Sequence, residues 1–183
     1  MNDFLIENYK QLSDKQKREL LRDKYFVFNK VISKYLTGHR YFHSISTAIT
    51  ASELAYAHHY PVNKAYVAGI LHDITKQWSK EQSIEWLERF EPEYLNKAPA
   101  IWHPITAYYY LKEYTDLDKE ILIAIRNHTV PESDDLLTMI IYLADKLERT
   151  RSFRNNDLYL LAKTDIHRAF TILFEKEQKK HGN

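Results

Sequence analysis

The chain contains no cysteine. That absence excludes a disulfide framework and thiolate ligands, so any metal site must be built from histidines and carboxylates. It is compatible with a reducing compartment. Glycine is also scarce, with three residues in 183, and proline contributes five. An all-β or dinucleotide-binding α/β chain of this size needs more turn glycines. No strand-length run of β-branched residues is bounded by turn signals on both sides. An all-α chain with short loops is therefore expected. No stretch approaches the ~20 apolar residues that span a bilayer. The first residues, MNDFLIENYK, carry acids and no apolar core of signal-peptide length. A net charge of +1 marks neither a nucleic-acid nor a membrane binder. The expectation is a cytoplasmic protein without nucleic-acid or membrane partners; a homodimer is left open.

What is present is helical punctuation. Ser13 and Gln16 have capping-box spacing, which predicts a helix toward Leu36, with Gly38 in a left-handed cap. A second helix is expected over His43 to His59, stopped by Tyr60-Pro61. Asn63 is a candidate N-cap for a third. On it Ala65, Ala68, Gly69 and His72 share a face, and the small residues imply a close helix neighbour. Ser79 and Gln82 repeat the capping box and start a helix to Phe90, which Glu91-Pro92 ends. The stretch from Glu93 to Trp102 reads as loop. Pro104 suits a first helical turn leading to Tyr114. Asp116 is the expected cap of the next helix, which carries Leu117, Ile121, Ala124, Ile125 and His128 on one stripe. A loop and cap over Pro131 to Asp134 precede an apolar helix through Leu147. One last helix is expected from Asp157 into a basic tail.

Three positions carry chemistry. His72-Asp73 ends an apolar helix, where an unpartnered carboxylate is costly. His128 lies on the apolar stripe of its helix, and Asp145 sits inside Ile140-Ile141-Tyr142-Leu143-Ala144-Asp145. Each has a plain structural reading: a histidine on an apolar face is usually a hydrogen-bonded core residue, and Asp145 could simply pair with Arg151. Their coincidence in separate helices favours groups projected to one centre. His58-His59, at a helix end, and His39, His167 and His181, on the outside, are set apart from it. Tyr108 to Tyr110 read mainly as core.

The ordered segments Arg40-Tyr41-Phe42-His43-Ser44, Ala68 to Lys76 around His72-Asp73, His103, Ala124 to Thr129 around His128, Ile141 to Asp145, and then Arg151 resemble the HD superfamily, whose pattern is H…HD…D. They are similar in particular to its YqeK family of bacterial symmetrical dinucleoside tetraphosphate hydrolases. The resemblance covers about residues 29–175, and one HD-domain helical bundle is expected over residues 29–183, with residues 1–28 as an N-terminal helical extension. It implies that His43, His72, Asp73 and Asp145 hold one metal, and that His103 and His128 complete a second site bridged by Asp73. The cofactors implied are two divalent or mixed-valence transition metals, iron by the family. They would lower the pKa of a shared water that attacks a phosphorus. Asp73, Lys76, His103 and His128 are the implied catalytic residues. Arg40, Lys76, His103, His128, Thr129 and Arg151 are the implied substrate contacts, for a small nucleotide. The expected reaction is diadenosine tetraphosphate to two ADP. The rivals are another phosphoanhydride, or a nucleotide-binding module without turnover. Pro104 stands where the family usually has glycine, and Val130-Pro131 where it has Thr-Gly, so these positions are expected to reshape the nucleotide pocket.

Overall fold

The computed structural model describes residues 30–152 and 154–181. The expected N-terminal extension and its Ser13 capping box lie outside the described residues. Among the described residues there is no strand. No helix among them is long and apolar enough to cross a membrane. The all-α expectation holds.

Residues 30–32 are helical and lead through a turn to Gly38, which takes φ +55°. The left-handed conformation is thus present, but Gly38 does not cap the preceding helical turn, which ends at residue 32; it opens the next helix, α1 (Gly38–Ala57), five residues before the expected start. α1 also ends earlier than proline required. His59 adopts φ 54°, His59 N–H donates to Tyr56 at 3.3 Å and Tyr60 N–H to Ala55 at 2.9 Å. This is a Schellman motif, built here on histidine in place of glycine. It leaves no spare residues before α2 (Val62–Leu71), so Pro61 occupies the N-cap position and the expected cap, Asn63, is inside the helix.

The small-residue face behaves as expected. Ala65, Ala68 and Gly69 are buried. A Cβ placed on Gly69 would lie 2.8 Å from the Ala48 Cα of α1. Gly69→Ala is therefore expected to lower stability by about 1–3 kcal/mol, as overpacking does, although alanine is the better helix former by ~1 kcal/mol. The clash is with backbone, which cannot rotate aside. The midpoint of chemical denaturation measures the outcome, and an unchanged or raised midpoint would contradict this packing.

α3 (Lys80–Phe90) carries the expected capping box in full, between Ser79 and Gln82. The expected loop from Glu93 to Trp102 contains two short 3-10 turns, Pro92–Asn96 and Pro99–Ile101, each opened by a proline whose fixed φ suits a first position. α4 (Trp102–Tyr114) follows, with Pro104 in its first turn, where no backbone donor is needed. α5 (Lys119–Asn127) begins after Asp118, not Asp116, and the Asp118 carboxylate pairs with Lys64 at 2.9 Å instead of capping. α6 (Leu136–Leu147) is capped by Asp135, which accepts from Thr138 N–H at 3.0 Å, one position beyond the expected loop and cap.

The single terminal helix is two, α7 (Asn156–Thr164) and α8 (Ile166–His181). Asp165 separates them. Its N–H closes α7 on Leu161 at 2.7 Å, and its side chain accepts from Arg168 N–H at 3.0 Å to open α8. The bend presses Ile166, Ala169 and Leu173 onto the core, where Tyr142 packs between Phe170 and Phe174. His58, set apart in the sequence, donates across the bundle to the Ala162 carbonyl at 2.7 Å. Tyr108, Tyr109 and Tyr110 are half-buried, and Tyr109 stacks on Phe90 at 4.3 Å.

Candidate metal centre

Five helices bring their ends to one point. His43 lies in the second turn of α1. His72 is the C-cap of α2 and Asp73 follows it. His103 is in the first turn of α4, His128 is the C-cap of α5, and Asp145 is in the last turn of α6. The C-terminal ends of α2, α5 and α6 thus face the cluster, and helix C-termini favour a cation. His43, His72, Asp73, His103 and His128 are buried, and the Asp145 side chain is 13% exposed.

The ring orientations explain what the cluster wants. His72 Nδ1 is 2.7 Å from the Gly69 carbonyl, His103 Nδ1 3.0 Å from Ala100 and His128 Nδ1 2.6 Å from Ile125. His43 Nδ1 is 3.0 Å from Glu148 Oε1. An acceptor at Nδ1 places a proton there and turns Nε2 inward, as a lone pair wherever the ring is neutral. The inward nitrogens meet in two pairs, His43 with His72 at 3.2 Å and His103 with His128 at 3.0 Å. Lone pairs that converge so closely need a positive centre between them. This is the arrangement of metal-bound imidazoles, each oriented by a partner behind it.

The carboxylates fit the same reading. Asp145 Oδ1 is 3.0 Å from His43 Nε2 and 3.7 Å from His72 Nε2. Asp73 faces both pairs. Its Oδ1 lies 3.0 Å from His103 and 3.6 Å from His128, and its Oδ2 lies 3.7 Å from His72 and 3.9 Å from His43. Two overlapping ligand groups result, His43–His72–Asp145 and His72–Asp73–His128. Nitrogen and oxygen donors without thiolate suit a borderline divalent ion.

The titration of these groups follows from burial and charge. Burial drives His72 down to about 3 and His103 down to about 4, which keeps both neutral and able to ligate. Burial would also depress His43, but the Asp145 and Glu148 carboxylates outweigh it and raise the ring to about 9. Burial opposes ionisation of Asp73 and Asp145, yet surrounding imidazoles, and Lys146 beside Asp145, hold both well below the usual carboxylate range.

The pattern of the HD domain matches residues 40–150. The chain belongs to the HD-domain family. It is an HD-domain phosphohydrolase, and its cluster of histidines and aspartates is suited to a divalent metal. The chain is 36% identical to the symmetrical bis(5'-nucleosyl)-tetraphosphatase of Bacillus subtilis, over 75% of this chain and 77% of that protein. The protein of the same name from Halalkalibacterium halodurans is 32% identical over 81% of this chain and 86% of its own. A solved HD superfamily hydrolase of Clostridium acetobutylicum, described as involved in NAD metabolism, superposes with a TM-score of 0.76. It shares 28% identity, with 86% of each chain covered.

Cations expected at the substrate rim of this HD centre lie around the carboxylates. Arg40 donates to Asp73 Oδ2 at 3.3 Å. Arg151 donates to Asp145 Oδ1 at 2.8 Å and to its carbonyl at 3.0 Å, so the plain pairing of Asp145 with arginine and the ligand arrangement coexist. The Lys76 ammonium stands 3.0 and 3.2 Å from the two ring nitrogens of His103, and burial lowers its pKa. Thr129 is not in the cluster. It lines a cavity of about 220 Å³ with Tyr94, Pro104, Arg126, Val130 and Glu132. The departures at Pro104 and Val130 therefore shape this cavity and leave the ligand nitrogens alone. Two residues had been given no role from sequence. Lys146 donates to Asp145 Oδ2 at 3.2 Å and to the His128 carbonyl at 3.3 Å. Glu148 is fully buried behind His43. Its signal was the three-residue step from Asp145, which turns it back toward the same side of the chain.

Proposed function

We propose that the centre holds two divalent transition ions, iron in the cell, and hydrolyses diadenosine tetraphosphate at its middle to two ADP. The observation that carries this reading is the orientation of Asp73, whose two oxygens face opposite imidazole pairs. His43, His72, Asp73 and Asp145 would hold one ion, and Asp73, His103 and His128 the other. Bound there, the ions supply Lewis acidity, which acidifies water and offsets charge on phosphoryl oxygens. Asp73, with Lys76, His103 and His128 around it, is the catalytic core of this reading, and it sits in the cytoplasm with its nucleotide pool.

The protein groups do the rest. Arg40, Lys76 and Arg151 ring the ligand carboxylates and receive the polyphosphate, the arginines through planar pairs of donors and the lysine as a point charge. Thr129 and its cavity receive an outer part of the substrate. Water adds to one inner phosphorus, the bond from that phosphorus to the central bridging oxygen breaks, and the second ADP leaves as a stabilised anion. That leaving group needs no dedicated acid. The names of the two tetraphosphatase relatives support the choice of substrate. With diadenosine tetraphosphate the expected product is ADP alone, resolved by chromatography, and heavy-oxygen water should label a phosphate of ADP. ATP plus AMP would refute the symmetric cut. Turnover of a different nucleotide alone would retain the centre and replace the substrate.

A further inference from the structure

Among the described residues, the four inward-facing histidines differ in what stands behind them. His72, His103 and His128 donate from Nδ1 to neutral backbone carbonyls of the residue three positions earlier. His43 alone donates to a carboxylate, Glu148, at 3.0 Å. Glu148 is 0% exposed. Its oxygens are held from the other side by Thr150, whose hydroxyl reaches Oε1 at 2.6 Å and whose N–H reaches Oε2 at 2.5 Å. It lies behind Nδ1, on the far side of the ring from the inward Nε2, so it is no ligand itself.

An ionised acceptor makes a stronger hydrogen bond than a carbonyl and raises the electron density its imidazole offers to a metal. A neutral carbonyl does this more weakly. The ring of His43 is thereby the strongest nitrogen donor of the set. Resting on the two-ion reading above, we propose that Glu148 is a positioning residue that makes the two metal positions unequal, so that the first ion goes to the His43–His72–Asp145 end. The second position, around Asp73, His103 and His128, has no such support.

The test is stepwise cobalt titration of the metal-stripped, full-length protein, followed by visible absorption and chelator competition. Wild type should show two separate affinities. Glu148→Gln keeps an acceptor for His43 but removes the charge. It should weaken the first step about 10- to 100-fold, the range for loss of a supporting partner, and leave the second step in place. Thr150→Val, at an exposed position, loosens Glu148 without emptying a buried site, and should shift the same step by less. It carries the test if the glutamine variant fails to fold. An unchanged first step overturns the inference. So does equal weakening of both steps, which is what general structural support would produce. Wild type that binds no cobalt overturns the metal centre itself and this inference with it, and that result is distinct from either of the others.

Discussion

Asp73→Ala is expected to abolish hydrolysis and to strip most of the metal while leaving the helices formed. The carboxylate is buried, and its two oxygens are the shared point of the cluster, 3.0 Å from His103 on one side and 3.7 Å from His72 on the other. Alanine removes the carboxylate that faces both imidazole pairs. It also removes the negative charge that offsets cations beside it, including Arg40 at 3.3 Å. The activity loss should exceed the ~100-fold that removal of a supporting partner costs, because a ligand to both positions is lost. Metal content of protein purified without chelator, circular dichroism and turnover on one preparation decide the point. A folded Asp73→Ala variant with full hydrolysis would refute the placement of the active centre. His72→Ala should behave similarly, since its ring reaches His43 at 3.2 Å and both carboxylates within 3.7 Å.

Lys76→Ala is expected to keep its metal and to lose about 10- to 100-fold in turnover efficiency. A charge-assisted contact to a phosphate is worth roughly 1.5–3 kcal/mol, and each ~1.4 kcal/mol is tenfold. Lys76 suits that role because, among the described residues, it forms no ion pair within 4.0 Å. It rests against the His103 ring, and burial lowers its pKa, so an incoming anion would meet a half-buried ammonium. Arg151→Ala should lose a similar factor, with some loss of metal as well, since Arg151 also holds Asp145 at 2.8 Å. Arg151→Lys should not restore activity, because lysine cannot reproduce the paired bonds to the Asp145 carboxylate and carbonyl. Metal analysis separates the two effects. Wild-type kinetics in both alanine variants would put the polyphosphate elsewhere.

Four of the candidate ligands were legible because each is misplaced by the ordinary rules of helix patterning, whereas His43 and His103 entered only through the family resemblance. His128 rides an apolar stripe, His72-Asp73 ends an apolar helix and Asp145 interrupts another. Polar groups at such positions need partners, and periodicity alone reveals the need. The resemblance to HD proteins then said that these partners are shared. The outer residues were less legible. Thr129 follows a ligand in sequence, but the end of α5 at Asn127 turns it into the cavity beside Pro104. Sequence adjacency says nothing about which way a residue leaves a helix end.

The scarcity of glycine, the Ser79–Gln82 capping box and the helical spacing of apolar residues were enough by themselves to specify helices joined by short loops, and the small face of α2 to specify a close neighbour. Those features act within a turn or two of the chain, so local sequence contains them. Tertiary structure decided where helices stopped and who stood behind the ligands. The Schellman turn at His59 ends α1 at Ala57, four residues before Pro61, and Asp165 divides the last helix so that Ile166 and Leu173 can both reach the core. Above all, Glu148 meets His43 across 105 positions of sequence. No periodicity or cap spacing extends that far. Only the packing of α1 against α6, which brings both chain segments to one buried point, makes a glutamate after one helix the support of a histidine in another.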